Sequence, residues 1–210
     1  MQTGLRERKK NETRARIQCA ALELFHEKGY EATTVEEIAA RADVGKGTFF
    51  NYFPRKDALL EALAVDTIEE LLDELGPPEE WRGTAHEQLL HLFLRVGELV
   101  GRHPELSKVM MIENLRNFWL REEEEEPLEQ QFHALMRTVL LRGKAEGEIS
   151  ADAEVEIAVK LLDAAYVTTV VEWLKAGSPE GVFRTELSAK FKVIFRGLGA
   201  SGITAKGMNQ

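Results

Sequence analysis

The stretch Thr33-Thr34-Val35-Glu36-Glu37-Ile38-Ala39-Ala40-Arg41-Ala42-Asp43-Val44-Gly45-Lys46-Gly47-Thr48-Phe49-Phe50-Asn51-Tyr52-Phe53-Pro54-Arg55-Lys56 decides the fold. Thr34-Val35-Glu36-Glu37 is a capping-box pattern, in which the Thr34 hydroxyl serves the first-turn amides and the Glu37 carboxylate reaches back. Val35, Ile38, Ala39 and Ala42 recur at helical spacing and form an inward face. Asp43-Val44-Gly45 reads as a turn. A short helix from Lys46 to Phe53 follows, and Pro54 stops it. Two short helices about a tight glycine-containing turn make a helix-turn-helix, whose second helix fits the major groove of DNA.

Outward from this motif, almost every segment reads as helix. Ile17, Ala20, Ala21, Leu24 and Phe25 share one face of a helix expected from about Glu12 to Lys28, with Gly29 as its C-terminal stop. A long amphipathic helix is expected from Lys56 to about Leu75, with Leu59, Leu60, Leu63, Ile68, Leu71 and Leu72 inside, and Gly76-Pro77-Pro78 ends it. Further helices are expected at Ala85–Gly101, Pro104–Leu120, Pro127–Glu146, Ala153–Ala176 and Glu180–Leu198. No alternating apolar run marks a strand, so the fold class is all-α, with about nine helices. The division expected is an N-terminal domain of residues 1–56, a larger helical domain of 57–200, and a flexible polar tail of 201–210.

Composition narrows the class. The 210 residues carry a net charge of −9, which by itself argues against nucleic acid. Its distribution reverses that reading: residues 1–57 hold 11 Lys+Arg against 9 Asp+Glu, and the rest is strongly acidic. Arg6, Arg8, Lys9, Lys10, Arg14 and Arg16 face only Glu7 and Glu12 in the first 16 residues. Salt screens fields beyond about 8–10 Å, so a basic end on an acidic body is a DNA-compatible arrangement. No apolar run approaches the roughly 18 residues of a membrane span, and no secretory signal opens the chain. Cys19 stands alone, which suits a reducing cytoplasm and excludes an internal disulfide.

Within the helix-turn-helix, Lys46, Gly47 and Thr48 stand at the N-terminus of the second helix, where residues meet base edges and the helix dipole attracts phosphate. Gly47 lets the backbone come close. Thr48 suits a phosphate or a thymine methyl, and Asn51 a base edge or a phosphate. Tyr52 and Lys56 sit where the helix leaves the groove, as phosphate contacts.

The run from Gly29 to Ala39, followed by Val44 to Lys56, resembles the signature of the tetracycline-repressor (TetR) family, over roughly residues 12–60. The resemblance implies a three-helix DNA-binding domain, a helical C-terminal domain that binds a small effector, and a homodimer paired through its last two helices. The mechanism expected is a repressor released from its operator by a small hydrophobic effector, with activation as the alternative. Carried over by position, Thr34, Lys46, Gly47, Thr48, Asn51, Tyr52 and Lys56 are the DNA contacts. Two positions depart from the family pattern: serine is usual at Gly45 and tyrosine at Phe50. The first change removes a side-chain cap, and the second removes a hydroxyl that reaches phosphate. Phe49 and Phe50 then either read thymine methyls or simply pack.

Other features have bland readings beside sharp ones. Met110, Glu113, Asn114, Asn117 and Phe118 mix polar and apolar groups as a ligand pocket does, joined by Tyr166 and Trp173 seven residues apart; the rival is an ordinary amphipathic helix. Ala164, Ala165, Thr168 and Thr169 suit a close dimer seam with the helix holding Phe191, Ile194 and Phe195, or packing within one subunit. Glu122–Glu126 reads as a solvated run rather than a cation site. The five histidines lack metal-ligand spacing, and no cofactor or catalytic motif appears, so no enzyme is expected. The alternatives to a ligand-responsive regulator are an enzyme fused to a DNA-binding head and a non-specific architectural DNA-binding protein.

Overall fold

The computed structural model describes the backbone of residues 2–120 and 127–199, and the side chains there other than those of 2, 3, 5, 113–120 and 127. The Glu122–Glu126 run and the 201–210 tail lie outside the described residues. All regular structure among the described residues is helical: α1 (Gln2–Lys28), α2 (Val35–Arg41), α3 (Lys46–Tyr52), α4 (Lys56–Leu75), α5 (Ala85–Arg102), α6 (Pro104–Leu120), α7 (Pro127–Ala145), α8 (Val155–Lys175) and α9 (Val182–Leu198), with one 3-10 turn at Pro78–Glu80. No helix among them is long and apolar enough to cross a membrane.

α1 begins ten residues before the expected Glu12. Its first turns are rich in Arg, Glu and Lys, which favour helix but are polar all round, so hydrophobic periodicity does not register them. Arg8 and Glu12 pair across one turn at 3.4 Å.

Two compact units form. The first holds the residues up to Glu69 together with Glu105–Trp119. Its core joins Ile17, Ala20, Ala21, Leu24 and Phe25 of α1 to Ile38 and Ala39 of α2, Phe49 and Phe53 at α3, and Leu59 and Leu60 of α4. Leu106, Val109 and Met110 of α6 pack on this core, a contact that periodicity could not reveal.

The second unit holds Glu70–Pro104 and the described residues from 120 onward. α5 starts with its own capping box, Thr84 accepting from the Glu87 N–H at 3.2 Å while Glu87 accepts from the Thr84 N–H at 2.9 Å. Trp81 Nε1 donates to the carbonyls of Leu75 and Gly76 at 2.9 and 3.0 Å and so closes the end of α4. Arg142 of α7 donates to Pro78 O at 2.7 Å and to Gln88, pinning the 78–84 turn.

Packing in this unit rests on two glycines of α5. A methyl at Gly97 would come within 2.0 Å of Phe183 Cε1, and one at Gly101 within 2.9 Å of Trp173. The rings of α9 and α8 therefore lie directly on the α5 backbone. Gly97→Ala is expected to destabilise the protein by about 3 kcal/mol through overpacking, the upper end of the usual range because the contact is so short, less the ~1 kcal/mol that alanine gains over glycine within a helix, a net loss of about 2 kcal/mol. Urea denaturation checks this. Adding Phe183→Leu should recover part of the loss, and an unchanged midpoint in Gly97→Ala would refute the close fit.

Candidate DNA-reading surface

The reading head is built around the turn between α2 and α3. Thr34 caps α2, with its Oγ1 accepting from the Glu37 N–H at 3.3 Å and donating to Glu37 Oε2 at 2.7 Å. Lys28 also donates to Glu37, and these hydrogen bonds, that of Lys28 foremost, hold the Glu37 carboxyl down at about 2. The turn closes through Val44 N–H to Ala39 O at 2.9 Å, with Asp43 in the left-handed region at φ 52. Asp tolerates that conformation better than most residues.

Gly45 is the N-cap of α3 at φ −71, an ordinary conformation for any residue, and no side chain caps the helix there. A methyl at Gly45 would meet only Thr48 Oγ1, at 3.8 Å, and one at Gly47 would meet nothing within 4 Å. The fold itself therefore does not require glycine at either place. Their missing side chains leave room outside the protein, which is what a helix that approaches another surface closely needs.

At 3.6 residues per turn, α3 has two faces. Phe49 (0% exposed) and the following Phe53 anchor the inner one. Tyr52 is half-buried at the margin of the same core, and Thr48 is half-buried beside it. Lys46, Gly47, Phe50 and Asn51 form the outer face, all exposed, with Phe50 at 43%. The Phe49-Phe50 pair thus splits: the first packs, and the second stands out with its ring edge-on to Phe49 at 5.5 Å.

Charge on this face is pre-paired. Lys46 Nζ bonds the Glu36 carboxylate of α2 and lies 5.9 Å over the Phe50 ring. The hydrogen bond from Lys46 holds the Glu36 carboxyl below its usual range. Arg41 grips Glu27 of α1 with two bonds of 2.9 and 3.0 Å, fixing the far end of α2. Lys56 takes a structural place: its ammonium donates to Tyr30 O at 2.8 Å and Thr33 O at 3.1 Å, 4.0 Å above the Tyr30 ring. Two of its three N–H bonds are thereby used, and Tyr30 in turn donates to Asp57. Glu36 and Tyr30 were absent from the candidates read from sequence, and Phe50 stood there only as a choice between reading thymine methyls and packing. Phe50 was legible from the spacing of Phe49 and Phe53, whereas the partners of Lys46 and Lys56 were not.

The effector-pocket candidates divide between the units. Met110 packs on the core of the first. The side chains of Glu113, Asn114, Asn117 and Phe118 lie outside the described residues. Tyr166 and Trp173 belong to the second unit and share a neighbour in Phe183, at 6.2 and 5.3 Å. Tyr166 also stacks on Phe93 at 4.9 Å, and burial followed by the nearby Asp163 charge pushes its phenol up.

A phosphate that meets Lys46 must displace Glu36. An ion pair this exposed is weak, so the exchange is easy. Lys46→Ala is expected to weaken binding to duplex DNA and to lower the salt slope by about one for each bound head. Glu36→Gln is expected to strengthen binding several-fold at low salt. Fluorescence anisotropy over a salt series measures both, and unchanged affinity and slope in Lys46→Ala would remove Lys46 from the contact set.

Comparison with known proteins agrees with this geometry. Residues 17–63 match the family described as bacterial regulatory proteins, tetR family. The FadR transcriptional repressor of Thermus thermophilus, solved in complex with lauroyl-CoA, is 27% identical with a TM-score of 0.60, over 92% of this chain and 99% of that one. The fatty acid metabolism regulator protein of Bacillus subtilis is 26% identical over 156 residues, 74% of this chain and 80% of that protein. The transcriptional regulator TcmR of Streptomyces glaucescens is 39% identical over 113 residues, 51% of this chain and 50% of its own length. The chain is a helix-turn-helix, DNA-binding transcriptional regulator whose residues 17–63 match the tetR family of bacterial regulatory proteins.

Proposed function

We propose that this regulator is a homodimeric repressor that holds a near-palindromic operator with two α3 helices and releases it when a long-chain acyl-CoA binds. Residues 1–56 serve as the reading head, and residues 57–200 carry effector binding and dimerisation. Thr34, Lys46, Gly47, Thr48, Asn51, Tyr52 and Lys56 meet the operator. The protein works in the cytoplasm, without catalysis.

The observation that carries the effector class is the likeness over 92% of the chain to a repressor bound to lauroyl-CoA. The name of the Bacillus subtilis relative points the same way. An acyl chain needs apolar surroundings, and in the second unit the clustered rings of Phe93, Phe132, Tyr166, Phe183 and Trp173 would supply them. Tyr166, whose phenol stays neutral, adds one polar handle.

The dimer reading rests on an uncovered stripe of α8. Ile157 and Leu161 are each 51% exposed, and Ala164 and Thr168 continue the same face, also exposed. Val193 of α9 stands out at 69%. Thr169 and Phe191, by contrast, are buried within the protomer. An unpaired apolar stripe at helical spacing on a chain expected to pair by helices is a seam.

Two measurements test the proposal. Operator DNA, first selected from random duplexes, should bind at least about tenfold more weakly once lauroyl-CoA or stearoyl-CoA is added, within the usual range of allosteric coupling, and free CoA should have no effect. No change with either acyl-CoA would overturn the effector class. Leu161→Glu should sediment as a monomer and lose at least about tenfold in operator affinity, because a monomer meets only one half-site. Wild-type protein that sediments as a monomer at micromolar concentration would overturn the dimer.

A further inference from the structure

We propose that Phe50 is a specificity-determining residue that reads a thymine methyl group in each operator half-site. The inference rests on the reading of α3 as the helix that enters the major groove. Three observations carry it. Phe49 and Phe53 account for the inner face of α3, so Phe50 is not needed to fill the core. Its ring is 43% exposed, the one large apolar group on an outer face otherwise made of Lys46, Gly47 and Asn51. Gly47, next to it on that face, leaves open space where a side chain would otherwise hold the groove floor away.

The chemistry selects the target. A phenyl ring has no hydrogen-bond donor or acceptor, so it cannot read the polar pattern of a base edge. The thymine C5 methyl is the apolar group that the major groove displays, and aromatic contact with it distinguishes thymine from the other bases. The Lys46 ammonium lies 5.9 Å above the same ring, so a cation suited to a backbone phosphate and an apolar group suited to a base edge stand side by side. The exposed ring face and the methyl then remove each other's apolar surface from water, which is favourable.

Deoxyuridine lacks only that methyl, so it isolates the contact. On the selected operator, each thymine is replaced in turn by deoxyuridine, and affinity is measured for wild type and Phe50→Ala. One position in each half-site is expected to cost wild type about fourfold, the value of one buried CH2-sized group, and to cost Phe50→Ala nothing. Both half-sites together should cost about 15-fold. If Phe50→Ala binds too weakly to titrate, Phe50→Leu serves, and it should retain part of the discrimination. The proposal is overturned if no thymine is methyl-sensitive in wild type, or if the sensitivity is the same in the variants. A wild-type protein that selects no operator at all would instead refute the DNA reading itself. Circular dichroism confirms that the variants keep their helices.

Discussion

A seven-residue helix does not stand by itself. Nucleating a helix fixes several residues for one hydrogen bond, so a segment as short as α3 exists only where tertiary packing holds it. Phe49, with Phe53 one turn later, supplies that packing, sunk among Ile17, Leu24, Ile38 and Leu59. The rest of the reading head follows from this anchor. It fixes which side of α3 faces out, and it places Lys46 against Glu36 and leaves Phe50 uncovered. The polar bonds around it refine the arrangement: the Thr34–Glu37 box starts α2, and Arg41 ties its end to α1. At exposed sites such bonds each contribute modestly, whereas the loss of a buried phenylalanine costs about 3–5 kcal/mol.

α4 has a different part. Its first residue, Lys56, locks the loop between α1 and α2 through two carbonyls, and its ring partner Tyr30 is bonded to Asp57 one residue on. Farther along, Asp66 accepts from Arg14 at 3.0 Å and Gln18 at 2.6 Å on α1. The helix continues through Glu69, where the first unit ends, to Leu75. It is thus held at several points to the elements that position α3, and it is covalently continuous with the second unit. If effector and DNA occupy different units, as proposed above, such an element is what coupling requires, a part whose position both ligands bias.

Much of this was legible in the sequence, and the failures have physical causes. The capping box, the turn and the inner faces of α1 to α4 are local patterns of spacing and turn chemistry, and these survive into the structure nearly residue for residue. The early turns of α1 were missed because a helix that buries nothing has no apolar period. The packing of α6 on the first core depends on chain return over many residues, which periodicity does not encode. Gly97 and Gly101 were passed over because a glycine in a helix reads as a weak point until the ring that covers it is known. Among the candidate contacts, exposure followed from helical phase, but partnership did not. Lys46 and Lys56 looked alike as basic residues near a groove; one proved to be held by a carboxylate and the other by two carbonyls.

That contrast bears on how an acidic protein binds DNA. With a net charge of −9, long-range attraction is weak, and affinity must come from the few groups the head presents. An exposed carboxylate partner keeps Lys46 directed across the turn at little cost, and the weakness of so exposed a pair leaves the ammonium available to a phosphate. The Lys56 ammonium is differently placed, because leaving two half-buried carbonyls unpaired would cost about 1–3 kcal/mol each. It therefore keeps its role in the fold whether or not DNA is bound, and what remains to it is a single N–H. The outer face of α3, with one movable cation, one position without a side chain, the Asn51 amide and one exposed ring, offers fit more than charge as a means of discriminating among base pairs.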